Sequence, residues 1–197
     1  MKPKEASLVP QRRGRCLLAV LLFFLSGFAA LVYQVLWVRQ LGLLFGNTAE
    51  ASALTIAIFF AGLSTGGWFW GARAPYGDEA LRWFGLIEIG VSVTALGHFA
   101  LLGLYHTAYP LVYGAFGHVP LLDLGAKIAI AALVLFPPAF LMGGTLPLMG
   151  GHLIQSIDRL GRTGPILYAV NTAGSACGAV AACCSFRAYT CSRSPCL

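Results

Sequence analysis

Charged residues are scarce in this sequence. Lys, Arg, Asp and Glu together make up 10% of the 197 residues, against roughly 25% in an average soluble domain. Apolar residues make up 58% of the chain, and the mean hydropathy is +0.77. This shortage of charge excludes an ordinary soluble globular domain, and the composition predicts an integral membrane protein.

The sequence also lacks the signatures of common enzyme sites. It has no Ser-His-Asp order or nucleophile elbow, no H-E-x-x-H helix, no P-loop, and no G-x-G-x-x-G after a strand-like run. Its four histidines are scattered and do not form a metal-ligand pattern. We therefore predict no catalytic residue, no metal and no cofactor, and expect no enzymatic activity from these 197 residues themselves.

The net charge of +6 does not indicate nucleic-acid binding, because the basic residues are concentrated at one end. Five of the thirteen precede the first apolar run: Lys2, Lys4, Arg12, Arg13 and Arg15. No basic surface with interleaved aromatic residues follows them. Basic residues ahead of a first span are typical of a cytoplasmic anchor, so we expect no nucleic-acid partner.

The apolar residues form five runs long enough to cross a bilayer, which takes about 20 residues of helix. The predicted spans are residues 16–38, 51–71, 81–105, 124–153 and 165–184. The first run is too long for a signal peptide and should be retained. The sequence thus predicts an all-α bundle of about five transmembrane helices. It should follow a disordered polar tail at 1–15, with loops at 106–123 and 155–164.

The charges between the spans predict the orientation of the chain. With the N-terminus in the cytoplasm, the inside loops carry Arg73, Arg82, Arg159 and Arg162, as the positive-inside rule requires. Arg39 is the one basic residue that does not fit. We expect a multi-pass membrane protein whose N-terminus is cytoplasmic.

The fourth predicted span contains residues that disfavour an uninterrupted helix: Pro137, Pro138, Gly143, Gly144 and Pro147. Proline removes a backbone donor and clashes with the preceding turn. In hydrocarbon, each carbonyl that loses its donor must find another partner inside the protein. We predict that this fourth helix is broken by its prolines and that the other spans pack around the break.

Four polar residues within or near the spans form a candidate intramembrane site. Glu88 is the strongest, because ionisable groups in hydrocarbon are costly and it lies roughly 10 Å into its predicted span at 1.5 Å per residue. It would hold a proton or a cation, or else accept structural hydrogen bonds from the fifth span. Gln34, Asn171 and Thr145 complete the set, and residues such as Gln34 and Asn171 often join helices. His98 is expected at the membrane interface.

Aromatic residues lie near the predicted span ends, where an aromatic belt would place them. They are Tyr33, Trp37, Trp68, Trp70 and Trp83. Glycines four residues apart form a second pattern, at Gly62, Gly66, Gly67 and Gly71 in the second span and at Gly174 and Gly178 in the fifth. Such spacing lets helix backbones approach closely, and we interpret it as ordinary packing.

The last residues, 185–197, do not continue the apolar pattern. Four of the six cysteines fall within residues 183–197. Their spacing is not C-x-x-C and no histidine lies nearby, which argues against a metal site; a disulfide pair stays open as an alternative. We expect this tail to be a frameshifted or artificial end of a truncated chain.

Six stretches of the sequence, taken together in their order and spacing, carry a resemblance to a known family. They are residues 25–37 (LSGFAALVYQVLW), 44–48 (LFGNT), 61–63 (AGL) with the pair 66–67 (GG), 88–90 (EIG), 137–147 (PPAFLMGGTLP) and 167–172 (LYAVNT). Together they resemble the membrane region of the fused transporter-like and spermidine-synthase-like bacterial membrane proteins, over about residues 20–182. The resemblance implies a helical bundle related to one half of a major-facilitator-type transporter, in the bacterial inner membrane.

In that family the membrane region commonly precedes a soluble aminopropyltransferase-like domain. The glycine-rich, acid-terminated loop and the polyamine-binding acidic residues of such a domain are missing from these 197 residues. No catalytic residue can therefore be carried over from the family. The resemblance implies the lipid bilayer and a soluble transferase domain or subunit as partners, with a polyamine or another small cation as ligand.

Three functions are compatible with these observations. The first is the membrane portion of a spermidine-synthase-like fused protein, inactive as a transferase by itself. The second is a fragment of a small-molecule or polyamine transporter, in which Glu88 supplies negative charge to a cation near the helix break. The third is a membrane anchor that only localises a partner.

Overall fold

The computed structural model of the chain describes the backbone of residues 8–45, 49–116, 120–154 and 157–193. Every regular element within these ranges is an α-helix. The helices are α1 (Leu8–Phe45), α2 (Ala49–Arg73), α3 (Asp78–Phe116), α4 (Pro120–Gly143), α5 (Thr145–Leu153) and α6 (Ile157–Arg193). The prediction of an all-α architecture is confirmed for the described part of the chain.

Five segments of these helices are long and apolar enough to cross a membrane. They are Leu17–Gly42, Ser52–Arg73, Asp78–His98, Ile128–Leu153 and Thr163–Ser185. The fourth segment consists of the second part of α4 together with α5. Its residues are the most buried of the five segments, so the remaining helices surround it. The predicted number of spans is confirmed, and the chain has the make-up of a multi-pass membrane protein.

The helices extend beyond the apolar segments. α3 continues to Phe116 and α4 begins at Pro120, so the predicted loop at 106–123 is wrong for most of its length. α6 begins at Ile157, inside the second predicted loop, 155–164. Hydropathy marks only the apolar part of a helix, whereas backbone hydrogen bonding can continue into the polar residues on either side.

The two ends of the chain also differ from expectation. α1 begins at Leu8, within the tail expected to be disordered. α6 continues past the last apolar segment to Arg193, so residues 185–193 of the unusual tail have a helical backbone. Residues 194–197 lie outside the described part. Cys183 and Cys184 at the end of the apolar segment are exposed free thiols.

Glycines of α2 bring it into backbone contact with α4. A Cβ atom added to Gly62 would lie 2.6 Å from the Cβ of Ala139, and one added to Gly66 would overlap the backbone of Phe140. Gly67, the next residue, faces only ordinary contacts, the nearest at 3.5 Å. The close-packing interpretation of the glycines is confirmed for the pair formed by Gly62 and Gly66.

The glycines of α6 have the same role against α1. Added Cβ atoms at Gly174 and Gly178 would overlap the carbonyl oxygens of Phe24 and Phe28 respectively. The contact positions advance in the same direction along both helices, so α1 and α6 run parallel, as do α2 and α4. α1 and α6 are the first and fifth spans, and α2 and α4 belong to the second and fourth. A chain that crosses the membrane back and forth makes every second span parallel, so both pairs agree with five crossings. The third span packs against α4 and α5.

The structure shows no helix break at Pro137 or Pro138, because α4 continues as helix through both. The helix is interrupted at Gly144, one of the predicted residues, where φ is −77° and ψ is −17° and the N–H donates to a carbonyl three residues earlier at 2.9 Å. Pro147, three residues later, has no N–H to offer the carbonyl of Gly143 four residues before it.

Neighbouring helices cover the interruption. A Cβ added to Gly143 would overlap backbone atoms of α2, and one added to Gly144 would lie 2.6 Å from the Trp70 ring and 2.8 Å from the Ile87 side chain. Two glycines in a row therefore let α2 and α3 close over the irregular turn. Such cover is what an irregular backbone at membrane depth needs.

The turn between α2 and α3 is fastened to the end of α5. Gly77 has a φ of +68°, a conformation that side-chain-bearing residues rarely adopt. Its N–H donates to the carbonyl of Gly151 at 3.0 Å, and His152 Nδ1 donates to the Gly77 carbonyl at 2.8 Å. The two hydrogen bonds place the end of α2, the start of α3 and the end of α5 at the same side of the bundle.

Gly77→Ala should therefore lower the free energy of unfolding by about 1–2 kcal/mol, the cost of holding an L-residue at positive φ. The matched control is Gly85→Ala, since an added Cβ at either glycine meets no atom within 4 Å. Gly85 is helical, so its alanine variant should be as stable as the parent or more stable by up to about 1 kcal/mol. Unfolding of the purified chain in mixed micelles, followed by circular dichroism, measures both. Equal stability of the two variants would contradict the assignment.

Candidate functional site

Glu88 lies within the third membrane segment. That segment begins at Asp78, so Glu88 is ten residues after its first residue. At 1.5 Å per residue this is about 15 Å of helix. The carboxyl group is thus inside the apolar part of α3, and its side chain is half-buried.

The pattern of α3 determines which way Glu88 faces. Apolar and small residues spaced three and four apart form its buried stripe: Phe84, Ile87, Val91 and Ala95, followed by His98. Residues at this spacing share one face of a helix. Glu88 is one turn after Phe84 and adjacent to Ile87, so it lies at the edge of the stripe, on the side that faces α1.

The partner of Glu88 is a hydroxyl group. Ser26 Oγ on α1 donates to Glu88 Oε1 at 2.5 Å. Among the described side chains, no lysine or arginine forms an ion pair with Glu88. A carboxylate at the centre of a membrane helix costs about 2.5–3.5 kcal/mol on insertion scales. One hydroxyl offsets only part of this cost, so the site calls for a proton or a cation.

The turn of α1 that carries Ser26 is held from its other side by α6. Ser175 Oγ donates to the carbonyl of Gly27 at 3.2 Å. Asn171 lies against the same glycine: a Cβ added to Gly27 would be 2.6 Å from Asn171 Oδ1. Asn171 is therefore brought next to the residue that contacts Glu88, and residues 26 and 27 connect α3 to α6.

The other two predicted members of the site are not joined to Glu88. Thr145 is buried, and its Oγ1 donates to the carbonyl of Met142 at 2.8 Å, which satisfies a backbone group at the α4–α5 junction. Gln34 is half-buried on α1, more than two turns after Ser26, and has no hydrogen bond to a described residue. The junction itself touches α3 at Ile87, the residue before Glu88.

A second polar pair was not predicted. His98 is 2% exposed, and its Nε2 is hydrogen-bonded to Gln40 Oε1 on α1. His98 is the last residue of the third membrane segment; its ring faces other helices, and its location at the membrane interface stays a prediction. The spacing of Trp37 and Gln40, three residues apart, places both on one face of α1 and could have indicated the pair. Arg39 between them, which is exposed, made this stretch resemble the end of a span.

The predicted aromatic belt is only partly found. Trp68 is 75% exposed and Trp83 is 41% exposed, as residues facing the lipid interface would be. Trp37 is 2% exposed and stacks on Tyr33 with ring centroids 5.8 Å apart. Trp70 packs against Phe140 with centroids 6.5 Å apart. Trp37 thus belongs to the core of the bundle. Its position near the end of a predicted span suggested a lipid-facing ring, whereas its ring packs against other helices.

Comparison with known proteins does not identify the chain. No family model, curated protein or solved structure matches it. Its function has to be inferred from the geometry around Glu88. Within the described residues, no three His, Cys, Asp or Glu side chains come together as a metal site would require. A carboxylate and a hydroxyl inside an apolar membrane segment are suited to hold a proton or the ammonium group of a small organic cation.

Proposed function

We propose that the chain is the membrane domain of a spermidine-synthase-like fused protein of the bacterial inner membrane, and that this domain binds a polyamine at Glu88 and moves it across the bilayer. One observation carries the transport part of the proposal: Glu88 lies inside an apolar membrane segment and is paired with the Ser26 hydroxyl rather than with a basic side chain. The sequence blocks described above support the family.

The chemistry of the pair fits a primary ammonium group. A carboxylate accepts N–H bonds and supplies the countercharge, and the oxygen of a serine hydroxyl can accept a further N–H while its own hydrogen is donated to the carboxylate. An interrupted helix packs against the same helix as Glu88: a Cβ added to Gly144 would lie 2.8 Å from the side chain of Ile87, the residue before Glu88. Transporters repeatedly build substrate sites next to interrupted helices near the mid-plane.

The orientation that we propose has the N-terminus in the cytoplasm. Hydrogen bonds between Gly77 and the end of α5 place the α2–α3 turn and the end of α5 at one side of the bundle. Arg73 and Arg82, which flank the first of these, are exposed. The positive-inside rule then favours this side as cytoplasmic. A soluble transferase domain or subunit at that side would receive or release the polyamine.

Glu88→Gln should remove polyamine binding while leaving the fold intact. A hydrogen bond to a charged group contributes about 1.5–3 kcal/mol, which corresponds to a tenfold to hundredfold weaker affinity. Binding of radiolabelled putrescine to the purified chain, and its uptake into proteoliposomes, measure the two parts of the proposal. Glu88→Asp should retain some binding because the charge remains.

The matched control is Glu79→Gln, the same chemical change at an exposed position in the first turn of α3. It should bind and transport putrescine like the parent. Unchanged putrescine binding in Glu88→Gln would refute the proposal. Loss of proton uptake in Glu88→Gln without any putrescine binding in the parent would assign the site to a proton instead. An anchor without a transport role predicts that neither variant changes any flux.

A further inference from the structure

α1 and α3 contact each other through side chains, whereas their close backbone packing is with other helices. Within the described residues, α1 packs along α6, and α3 packs along α4 and α5. We call the side-chain contact between α1 and α3 the α1–α3 seam. Three pairs cross it, in the same order along both helices: Phe23 with Phe84, Ser26 with Glu88, and Gln40 with His98.

The first pair closes the seam on the side where both helices enter the membrane. The rings of Phe23 and Phe84 meet edge to face with centroids 6.3 Å apart. Phe23 is 0% exposed and Phe84 is 3% exposed. The pair lies one turn before Ser26 and Glu88, so it separates the carboxylate from that side of the membrane.

The third pair closes the seam at the opposite end. His98 and Gln40 are hydrogen-bonded through their side chains, and the ring of Trp37 lies against His98 with centroids 6.1 Å apart. Both His98 and Trp37 are buried. About 15 Å of α3 separates His98 from Glu88, and the buried face between them carries Val91 and Ala95.

We propose that the hydrogen-bonded pair Gln40–His98 is a gate on the path between Glu88 and the membrane surface at the His98 end. This inference rests on the proposed function, since it assumes that a cation moves to and from Glu88. Opening requires both side chains to rotate and the Trp37 ring to move away from His98, while the glycine contacts that hold α1 to α6 stay in place. An entering ammonium group can take over Gln40 Oε1 as acceptor, so opening exchanges one hydrogen bond for another.

The gate can be opened by mutation, and its opening can be followed by thiol labelling of a cysteine on α3. In a background whose six cysteines are replaced by serine, Ala95→Cys puts a thiol on the buried face of α3 between Glu88 and His98. Gln40→Ala, and separately His98→Phe, should then speed labelling in nanodiscs by a cationic, membrane-impermeant methanethiosulfonate. We expect about a tenfold increase, since loss of one buried hydrogen bond shifts an opening equilibrium by about 1.4 kcal/mol.

The matched control is Ala80→Cys, an equally buried alanine on the same helix beyond the Phe23–Phe84 contact; Ala80 is 0% exposed and Ala95 is 2% exposed. Its labelling should not respond to either gate variant. Equal labelling of Ala95→Cys with and without the gate overturns the proposal. Faster labelling of both cysteines overturns it too, because that result indicates general loosening. Since labelling needs no bound polyamine, it is independent of the Glu88→Gln experiment: putrescine binding lost in Glu88→Gln together with unchanged labelling leaves the proposed function standing and removes only the gate.

Discussion

Gly66→Ala should destabilise the bundle more than most single substitutions, by about 3 kcal/mol, the upper end of the usual cost of overpacking. The added methyl group would overlap the carbonyl oxygen of Phe140 and lie 2.7 Å from its carbonyl carbon. These are backbone atoms, so no rotation of a side chain can make room. α2 would have to move away from α4, and α4 belongs to the most buried membrane segment.

Gly67 provides the control for this prediction, because it is the adjacent residue on the same helix. A Cβ at Gly67 has its nearest contact at 3.5 Å, which is ordinary van der Waals distance. Both alanine variants gain the same helix propensity, about 1 kcal/mol, so the difference between them isolates the contact with α4. Unfolding in mixed micelles measures each. Equal stability of the two variants would mean that α2 and α4 are farther apart than the structure places them.

The contrast between Gly66 and Gly67 shows how far the sequence determines the packing. The G-x-x-x-G spacing predicts that one face of α2 approaches another helix closely, and two overlapping pairs were present. The sequence does not indicate which pair makes the contact or which helix receives it. That choice depends on Phe136, Ala139 and Phe140 of α4, which are more than 70 residues away. Contacts of such separation leave no local periodicity to detect.

The candidate site was predictable to a similar degree. Glu88 could be found because a carboxylate within an apolar run is costly wherever it faces. Ser26 could not, because a serine in a membrane helix commonly bonds its own backbone, as Ser92 Oγ does to the Glu88 carbonyl at 2.9 Å. Gln34 and Thr145 are polar as well, but neither side chain is hydrogen-bonded to Glu88, and Thr145 Oγ1 bonds the Met142 carbonyl instead. The direction of a side chain depends on helix rotation, which packing sets and composition does not.

The same structure divides the bundle into contacts that cannot open and contacts that can. Backbone contacts through Gly66 and through Gly174 leave no space for a shift without breaking the helix pairs. The α1–α3 seam is bridged by side chains, which have rotamers available. The polar residues Ser26, Glu88, Gln40 and His98 all lie on this seam. A domain that moves a cation needs both kinds of contact, since a rigid frame keeps the path defined while the seam opens.

Ser26→Ala and Gly27→Ala should separate the binding role of this part of α1 from its packing role. Ser26→Ala removes the hydroxyl that contacts Glu88, so putrescine affinity should fall about tenfold, as expected for one hydrogen bond to a charged group. The stability of Ser26→Ala should change by no more than about 1 kcal/mol, because alanine is a good helix former. Gly27→Ala should lower both quantities, since the added Cβ would lie 2.6 Å from Asn171 Oδ1 on α6.

Gly97→Ala is the control for Gly27→Ala, since a Cβ at Gly97 meets no atom within 4 Å; it should bind putrescine like the parent and be as stable as the parent or more stable by up to about 1 kcal/mol. Isothermal titration calorimetry with putrescine measures the affinity of each variant, and unfolding in mixed micelles measures its stability. If Gly27→Ala keeps its stability but loses binding, the contact with α6 is not what positions Ser26. If Ser26→Ala keeps full binding, the hydroxyl is only a structural partner of Glu88, and the ammonium group must be held by the carboxylate alone. The expected pattern, binding lost in both variants and stability lost only in Gly27→Ala, requires α6 to position the serine that α1 presents to Glu88.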